Sequence, residues 1–191
     1  MRICSSFVSR VCGLAAVALI GAGVAQAQPW IVDQEQTSDT AFMARFSQTD
    51  LAQSFMQAAD NINGADVKLQ PGQGGQGDIT IDLYDALPNQ GGNLMATGTD
   101  FGVNPGEWAE VRWAVEPITP ETTYYLVFTS TDGAMGLTGD TNNPYPRGNV
   151  FANPGYTPFP NFDYTFRTYT IPEPATLSLL ALGGLALLRR R

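Results

Sequence analysis

Histidine is absent from this chain, and its only two cysteines, Cys4 and Cys12, both lie within the first 27 residues. A body without either residue has no disulfide framework, no thiol nucleophile, no Ser-His-Asp triad and no zinc site built from the usual ligands. Carboxylate chemistry, metal binding through oxygen ligands, and no catalysis at all remain open. Basic residues are scarce as well. Five of the ten, Arg2, Arg10, Arg189, Arg190 and Arg191, stand at the two ends, which leaves Arg45, Lys68, Arg112, Arg147 and Arg167 against seventeen acids over residues 28–170. So acidic a surface repels phosphate backbones and excludes nucleic acid as a partner. It keeps the protein soluble and leaves structural calcium open as the one cofactor the composition allows.

Arg2 and Arg10 precede an apolar run from Val11 to Val24, and the small-residue triplet Ala25, Gln26, Ala27 follows. This order is that of a secretory signal peptide over residues 1–27, with Ala25 and Ala27 at the cleavage site and Gln28 as the new N-terminus. The run would form about 21 Å of helix at 1.5 Å per residue, short of a hydrocarbon core of roughly 30 Å, so an uncleaved anchor is the weaker alternative. Neither cysteine follows the run, where a lipidated one would stand.

At the other end Ile171, Pro172, Glu173 and Pro174 lead into the apolar stretch Ala175 to Leu188, closed by Arg189, Arg190 and Arg191. The prolines stop a preceding strand and keep the junction extended, the apolar stretch partitions into lipid, and the arginines resist crossing. The stretch again corresponds to about 21 Å of helix, and Gly183 and Gly184 weaken it, which suits a transient span better than a permanent one. These three ordered elements over 171–191 resemble the PEP-CTERM sorting signal, a family also labelled ice-binding protein C-terminal domain. The resemblance implies recognition by an exosortase-type processing enzyme, cleavage near Pro172-Glu173-Pro174, a membrane contact through the C-terminal segment, and a Gram-negative cell that makes extracellular polysaccharide. An ordinary tail anchor is the alternative. A cell-wall sortase signal is excluded, since Ala86-Leu87-Pro88-Asn89 is internal and lacks the required motif.

Residues 28–170 suffice for one domain with one core. Ile79, Ile81 and Leu83 alternate with Thr80, Asp82 and Tyr84, and Val111, Trp113 and Val115 alternate with Glu110, Arg112 and Ala114, the period of strands with one wet face. Further strands are predicted at Leu51 to Ala58, Ala65 to Gln70, Leu94 to Asp100, Thr122 to Ser130 and Phe162 to Tyr169, between Gly, Pro and Asn clusters. The expectation is an all-β single sandwich of jelly-roll type with seven or eight strands, flanked by a signal helix and a C-terminal hydrophobic helix. The segment Asp39 to Ala59 leaves a helix open, through the spacing of Phe42, Met43 and Phe46, against an opening strand at Ala52-Gln53-Ser54-Phe55. The body also resembles the β-sandwich modules that precede such anchors, through Gln53-Ser54-Phe55, Ile79 to Tyr84, Thr123 to Val127 and Asp163 to Tyr169. That implies a fold like carbohydrate-binding modules and no particular activity.

Gly72-x-Gly74-x-x-Gly77 fits the dinucleotide fingerprint in letters, but a strand rather than a helix is predicted after it, so a turn is expected. Asp60, Asn61, Asn63 and Asp66 crowd around Gly64, and Asp132, Asp140, Asn142 and Asn143 gather later; both sets suit calcium or turns bonded to their own backbone. Between Gly139 and Asn161 a long segment carries Tyr145, Arg147, Tyr156 and Phe159, the expected glycan-binding set if its aromatics face solvent and the cover of a sandwich end if they do not. Three functions follow in order. The first is a non-catalytic surface or matrix protein associated with exopolysaccharide, the second a glycan-binding module, and the third a glycoside hydrolase with two carboxylates about 5 to 9.5 Å apart. All three place the protein outside the cell or on its envelope.

Overall fold

A computed structural model describes residues 30–172. The two flanking helices, the signal cleavage residues Ala25 and Ala27, and Glu173, Pro174, Arg189, Arg190 and Arg191 of the tail lie outside these residues. Among the described residues there is no α-helix, and none is long and apolar enough to cross a membrane. The strands are β1 (Ile31–Gln36), β2 (Ala41–Arg45), β3 (Leu51–Met56), β4 (Asn61–Lys68), β5 (Gly77–Tyr84), β6 (Leu94–Val103) and β7 (Trp108–Pro117). They continue with β8 (Thr123–Ser130), β9 (Gly136–Asp140), β10 (Val150–Ala152), β11 (Thr157–Phe159), β12 (Asp163–Tyr164) and β13 (Phe166–Thr170).

All pairings are antiparallel. One sheet has the order β1-β13-β4-β7, a second β11-β10-β3-β8-β5-β6, and a small third β12-β9-β2. A bridge between Leu69 and Leu137 ties the third to the end of β4. From β3 to β8 the chain passes repeatedly between the two large sheets, with only β5–β6 a hairpin within one of them, which is the all-β jelly-roll-like sandwich expected. The period of two sets what each face carries. Leu51 and Phe55 of β3, Ile79, Ile81 and Leu83 of β5, and Leu126 and Phe128 of β8 turn inward and meet Ile62, Ala65 and Val67 of β4, Ala109 and Val111 of β7, and Phe166 of β13. Burying each such side chain stabilises the fold by about 1.5–3 kcal/mol, and truncating fully buried Phe128 to Ala is expected to cost about 3–5 kcal/mol. At one side the sandwich nearly closes. The Asp100 carboxylate of β6 accepts the amide of Glu110 on β7 at 2.8 Å, so an edge N–H is satisfied without a partner strand.

Several expectations change. The segment 39–59 forms no helix: β2 and β3 are joined by a short 3-10 turn, Phe46–Gln48. A bulge between Phe42 and Ala44 breaks the alternation of β2, and the broken pattern mimics helical spacing. Alternation in β7 holds only to Arg112, since Ala114 and Val115 are both exposed beyond the bulge at Ile62 to Gly64 in β4. Strands β1, β2, β9, β10 and β11 were not among the seven or eight expected. The long segment 139–161 contains the end of β9 and the β10–β11 hairpin.

Candidate functional site

The outward positions of the six-stranded sheet form the most distinctive surface. Registers Tyr84↔Tyr125 and Ser54↔Tyr125 put the two tyrosines side by side on β5 and β8. A second row runs Thr97, Asp82, Val127, Ala52, Phe151, Pro158 across β6, β5, β8, β3, β10 and β11. Tyr125 meets Phe151 edge to face, with ring centroids 5.7 Å apart. Half-buried Tyr84, Tyr125, Phe151 and Tyr156 pack on a small apolar cluster of Ala52, Leu87 and Val127, separate from the main core. Polar groups rim them. Asp82 accepts from the Thr97 hydroxyl at 2.5 Å, Thr80 and Thr99 share a hydrogen bond at 2.8 Å, and Asn89 donates to the Gly155 carbonyl at 2.8 Å.

Tyr156 reaches this face from the β10–β11 turn, whose shape demands three positive φ values, Asn153 at 66°, Gly155 at 88° and Tyr156 at 53°. Asp50 fixes the turn by accepting the Gly155 amide at 2.6 Å. A bulky aromatic in the left-handed region is uncommon and is tolerated where the surroundings over-determine it. Burial pushes the Tyr156 phenol up to about 12, reinforced by the nearby charges of Asp50 and Asp82.

The four residues expected to bind glycan occupy four different places. Tyr156 lies on the aromatic face. Tyr145 is a core residue: it is buried, meets Phe166 edge to face at 5.2 Å, accepts the Met56 amide and donates toward Gln34 Oε1 at 3.0 Å. Its ring offers no face to a sugar, because the β9–β10 connection folds it inward. Arg147 pairs with Glu121. Phe159 stacks on Phe162 at 6.0 Å and lines a cavity of about 100 Å³ with Met43, Gln48, Val150, Ala152 and Tyr164. Tyr84, Tyr125 and Phe151 were missed as site residues. Tyr84 was already legible as a wet-face position, and an aromatic on a wet face was the available signal.

The carboxylates of the oxygen-rich clusters are taken up by protein donors, while Asn143 Oδ1 is buried without a hydrogen-bond partner among the described residues. Asp66 pairs with Arg112 at 2.5 Å and accepts the Tyr169 hydroxyl. Asn61 receives the Thr170 hydroxyl and the Ile171 amide. Asp132 accepts the amides of Gly75 at 2.6 Å and Ala134 at 2.8 Å, closing the Gly72–Gly77 segment as a turn that feeds β5. Asp140 accepts from Ser38 at 2.5 Å, Thr40 at 3.0 Å and the Asn142 amide at 2.8 Å. Among the described residues no three Asp or Glu side chains stand close enough together to hold a metal ion.

One carboxylate pair is brought face to face by register, Asp140 on β9 opposite Asp163 on β12. The hydrogen bond from Ser38, then those from Asn142 and Thr40, hold Asp140 down at about 2. Burial pushes Asp163 up, with its bonds to the Tyr145 amide and Gln53 partly opposing. Opposed shifts are the pattern of an acid and base. Yet Asp163 is wholly buried and accepts from Gln53 Nε2 and the Tyr145 amide, both at 3.0 Å. The pair therefore joins the small sheet to the β9–β10 connection.

Residues 170–191 match the family model of the PEP-CTERM protein-sorting motif. No curated protein matches the chain. The match begins at Thr170, the last residue of β13, so the sorting motif starts where the sandwich ends. It marks an exported protein that an exosortase sorts to the cell surface, with the C-terminal segment removed on processing.

Proposed function

We propose that this exosortase-sorted protein is a non-catalytic component of the cell-surface matrix that rests on extracellular polysaccharide through the outer face of its six-stranded sheet. The observation that carries the reading is the group Tyr84, Tyr125, Phe151 and Tyr156 on an open sheet, rimmed by Asp82, Thr97 and Asn89. Aromatic rings stack on the C–H faces of sugar rings, while carboxylate, hydroxyl and amide groups bond the sugar hydroxyls. Asp50 and Asp82 favour a neutral polysaccharide over an anionic one, since like charges would meet at the rim.

The reading as a carboxylate hydrolase is disfavoured by the sealing of Asp163, the raised member of the opposed pair, away from any substrate. Structural calcium is not needed to explain any loop, because the carboxylates of both clusters already accept from protein donors. The test is binding of neutral polysaccharide to the purified protein and to Tyr125→Ala, Phe151→Ala and Tyr156→Ala. Each is expected to weaken binding about tenfold. Unchanged binding in the triple variant, with native circular dichroism, would overturn the assignment of this face. Release of reducing ends from the polysaccharide on incubation would overturn the non-catalytic reading.

A further inference from the structure

The two targeting segments leave the sandwich at one corner. Strand β1 begins at Ile31 and β13 ends at Thr170, and the two are register partners, with Val32 opposite Tyr169. The described chain therefore begins and ends beside the same pair of residues, and the apolar stretch Ala175 to Leu188 follows in sequence three residues after Pro172. At this corner three consecutive side chains lie open, Trp30 at 56%, Ile31 at 46% and Val32 at 41% exposure. Ile31 and Val32 point to opposite faces of the strand, so both faces are open there, and β1 is the edge strand of its sheet. An apolar sheet edge in water invites pairing with another chain.

We propose that this corner is a membrane-docking surface, with Trp30, Ile31 and Val32 laid in the interface of the bilayer that receives residues 175–188. Chain length compels the proximity. Pro172 is exposed at the end of the fold, and the three residues from there to Ala175 reach at most about 11 Å. Once the tail is inserted, Thr170, the register partner of Ile31, lies within five residues, at most about 18 Å, of the apolar stretch, which brings the corner near the lipid headgroups, where tryptophan and aliphatic side chains partition favourably. The exit is held rigidly enough to set the orientation. Asn61 grips Ile171 at both backbone groups, accepting its amide at 3.0 Å and donating to its carbonyl at 3.1 Å. Arg112 covers one face of Trp30 at 4.7 Å and leaves the rest of the indole open.

The charge nearby selects the lipid. Asp33, next to Val32, is engaged by the amides of Ala58 at 2.8 Å and Ala59 at 3.2 Å, Asp60 stands exposed beside them, and Glu35 faces Arg167 at 3.5 Å. With its acids in excess and both arginines already engaged by protein partners, the corner suits a zwitterionic surface rather than an anionic one. Docking would hold the sandwich against the membrane on its tail before processing. This proposal does not depend on the polysaccharide reading.

Trp30, Trp108 and Trp113 are the only tryptophans of the chain, so fluorescence can read the corner. The chain from Gln28 to Arg191, without the signal peptide, is reconstituted in phosphatidylcholine vesicles with and without bromine on the acyl chains, alongside Trp30→Phe and the double variant Trp108→Phe, Trp113→Phe. Brominated lipid is expected to quench the wild type and the double variant and to leave Trp30→Phe unchanged. The comparison of wild type with Trp30→Phe stands even if the double variant does not fold. Wild-type emission that is insensitive to bromine, or quenching that persists in Trp30→Phe, overturns the proposal. A change in emission that follows the density of protein in the vesicle rather than bromination would assign the edge to a second copy of the chain and overturn it equally.

Discussion

At the scale of single residues, charge placement dominates. Asp66 is 1% exposed, and its carboxylate pairs with Arg112 and accepts the hydroxyl of Tyr169. Removing the guanidinium leaves a buried carboxylate without its counterion, so Arg112→Ala is expected to destabilise the protein by about 3–5 kcal/mol in denaturant unfolding. Asp140 gives a pH dependence. Its folded value of about 2 lies below the ordinary 3.8, so its ionised form is favoured by folding. That contribution is complete above the ordinary value and disappears as pH falls through about 2. Asp163, raised by burial, has the opposite sign: folding favours its protonated form, and stability is lost as pH rises through its raised value. Ser38→Ala removes the largest influence on Asp140 and is expected to move the acid-unfolding midpoint, followed by circular dichroism, to higher pH; an unmoved midpoint would mean that Asp140 does not govern acid stability. The sequence placed Asp66 and Asp140 among oxygen-rich clusters, but Arg112 and Ser38 are 46 and 102 residues away from them, and no local spacing announces such partners.

At the scale of elements, Gly64 shows what a strand gains by lacking a side chain. It is the partner of Tyr169 on one side and of Arg112 on the other. Across the empty position the guanidinium lies over the tyrosine ring, 4.0 Å from its centroid. A Cβ at residue 64 would come within 2.6 Å of both Arg112 Cδ and the Val111 carbonyl oxygen. Gly64→Ala is therefore expected to cost about 1–3 kcal/mol in thermal or denaturant unfolding, because this buried position has no room for a methyl group. The β10–β11 hairpin poses the converse case. Tyr156→Asn puts a residue tolerant of positive φ at 53°, so stability should hold within about 1 kcal/mol while polysaccharide binding falls. Parallel measurement of melting temperature and binding separates the two effects. Strand β5 was legible because its period of two is unbroken. Strand β2 was not, because its bulge shifts the period, and the short β10 and β11 are strands only by virtue of pairing with each other and with β3.

For the whole molecule, processing and metal dependence can be read together. Protein recovered from cells is expected to have an intact mass consistent with loss of the residues beyond the Pro172-Glu173-Pro174 region. Retention of Arg191 would contradict removal of the tail. Chelation with EDTA is expected to leave the melting temperature unchanged, because the clustered carboxylates accept hydrogen bonds from the chain itself; a fall on chelation that calcium reverses would restore the structural cation left open by composition.

What the sequence determined by itself is what depends on order along the chain: the sorting motif, the absence of histidine and cysteine from the body, and the alternation that makes the sandwich all-β. These are local properties, written in consecutive residues or in a period of two, and folding does not alter them. Tertiary structure alone decided which aromatics share a face, that Tyr145 belongs to the core while Tyr84, Tyr125, Phe151 and Tyr156 lie together outside it, and that both ends of the body meet at one corner. Cross-strand register sets these neighbours, and register joins residues far apart in the chain through backbone hydrogen bonds that carry no signature in the side chains they bring together.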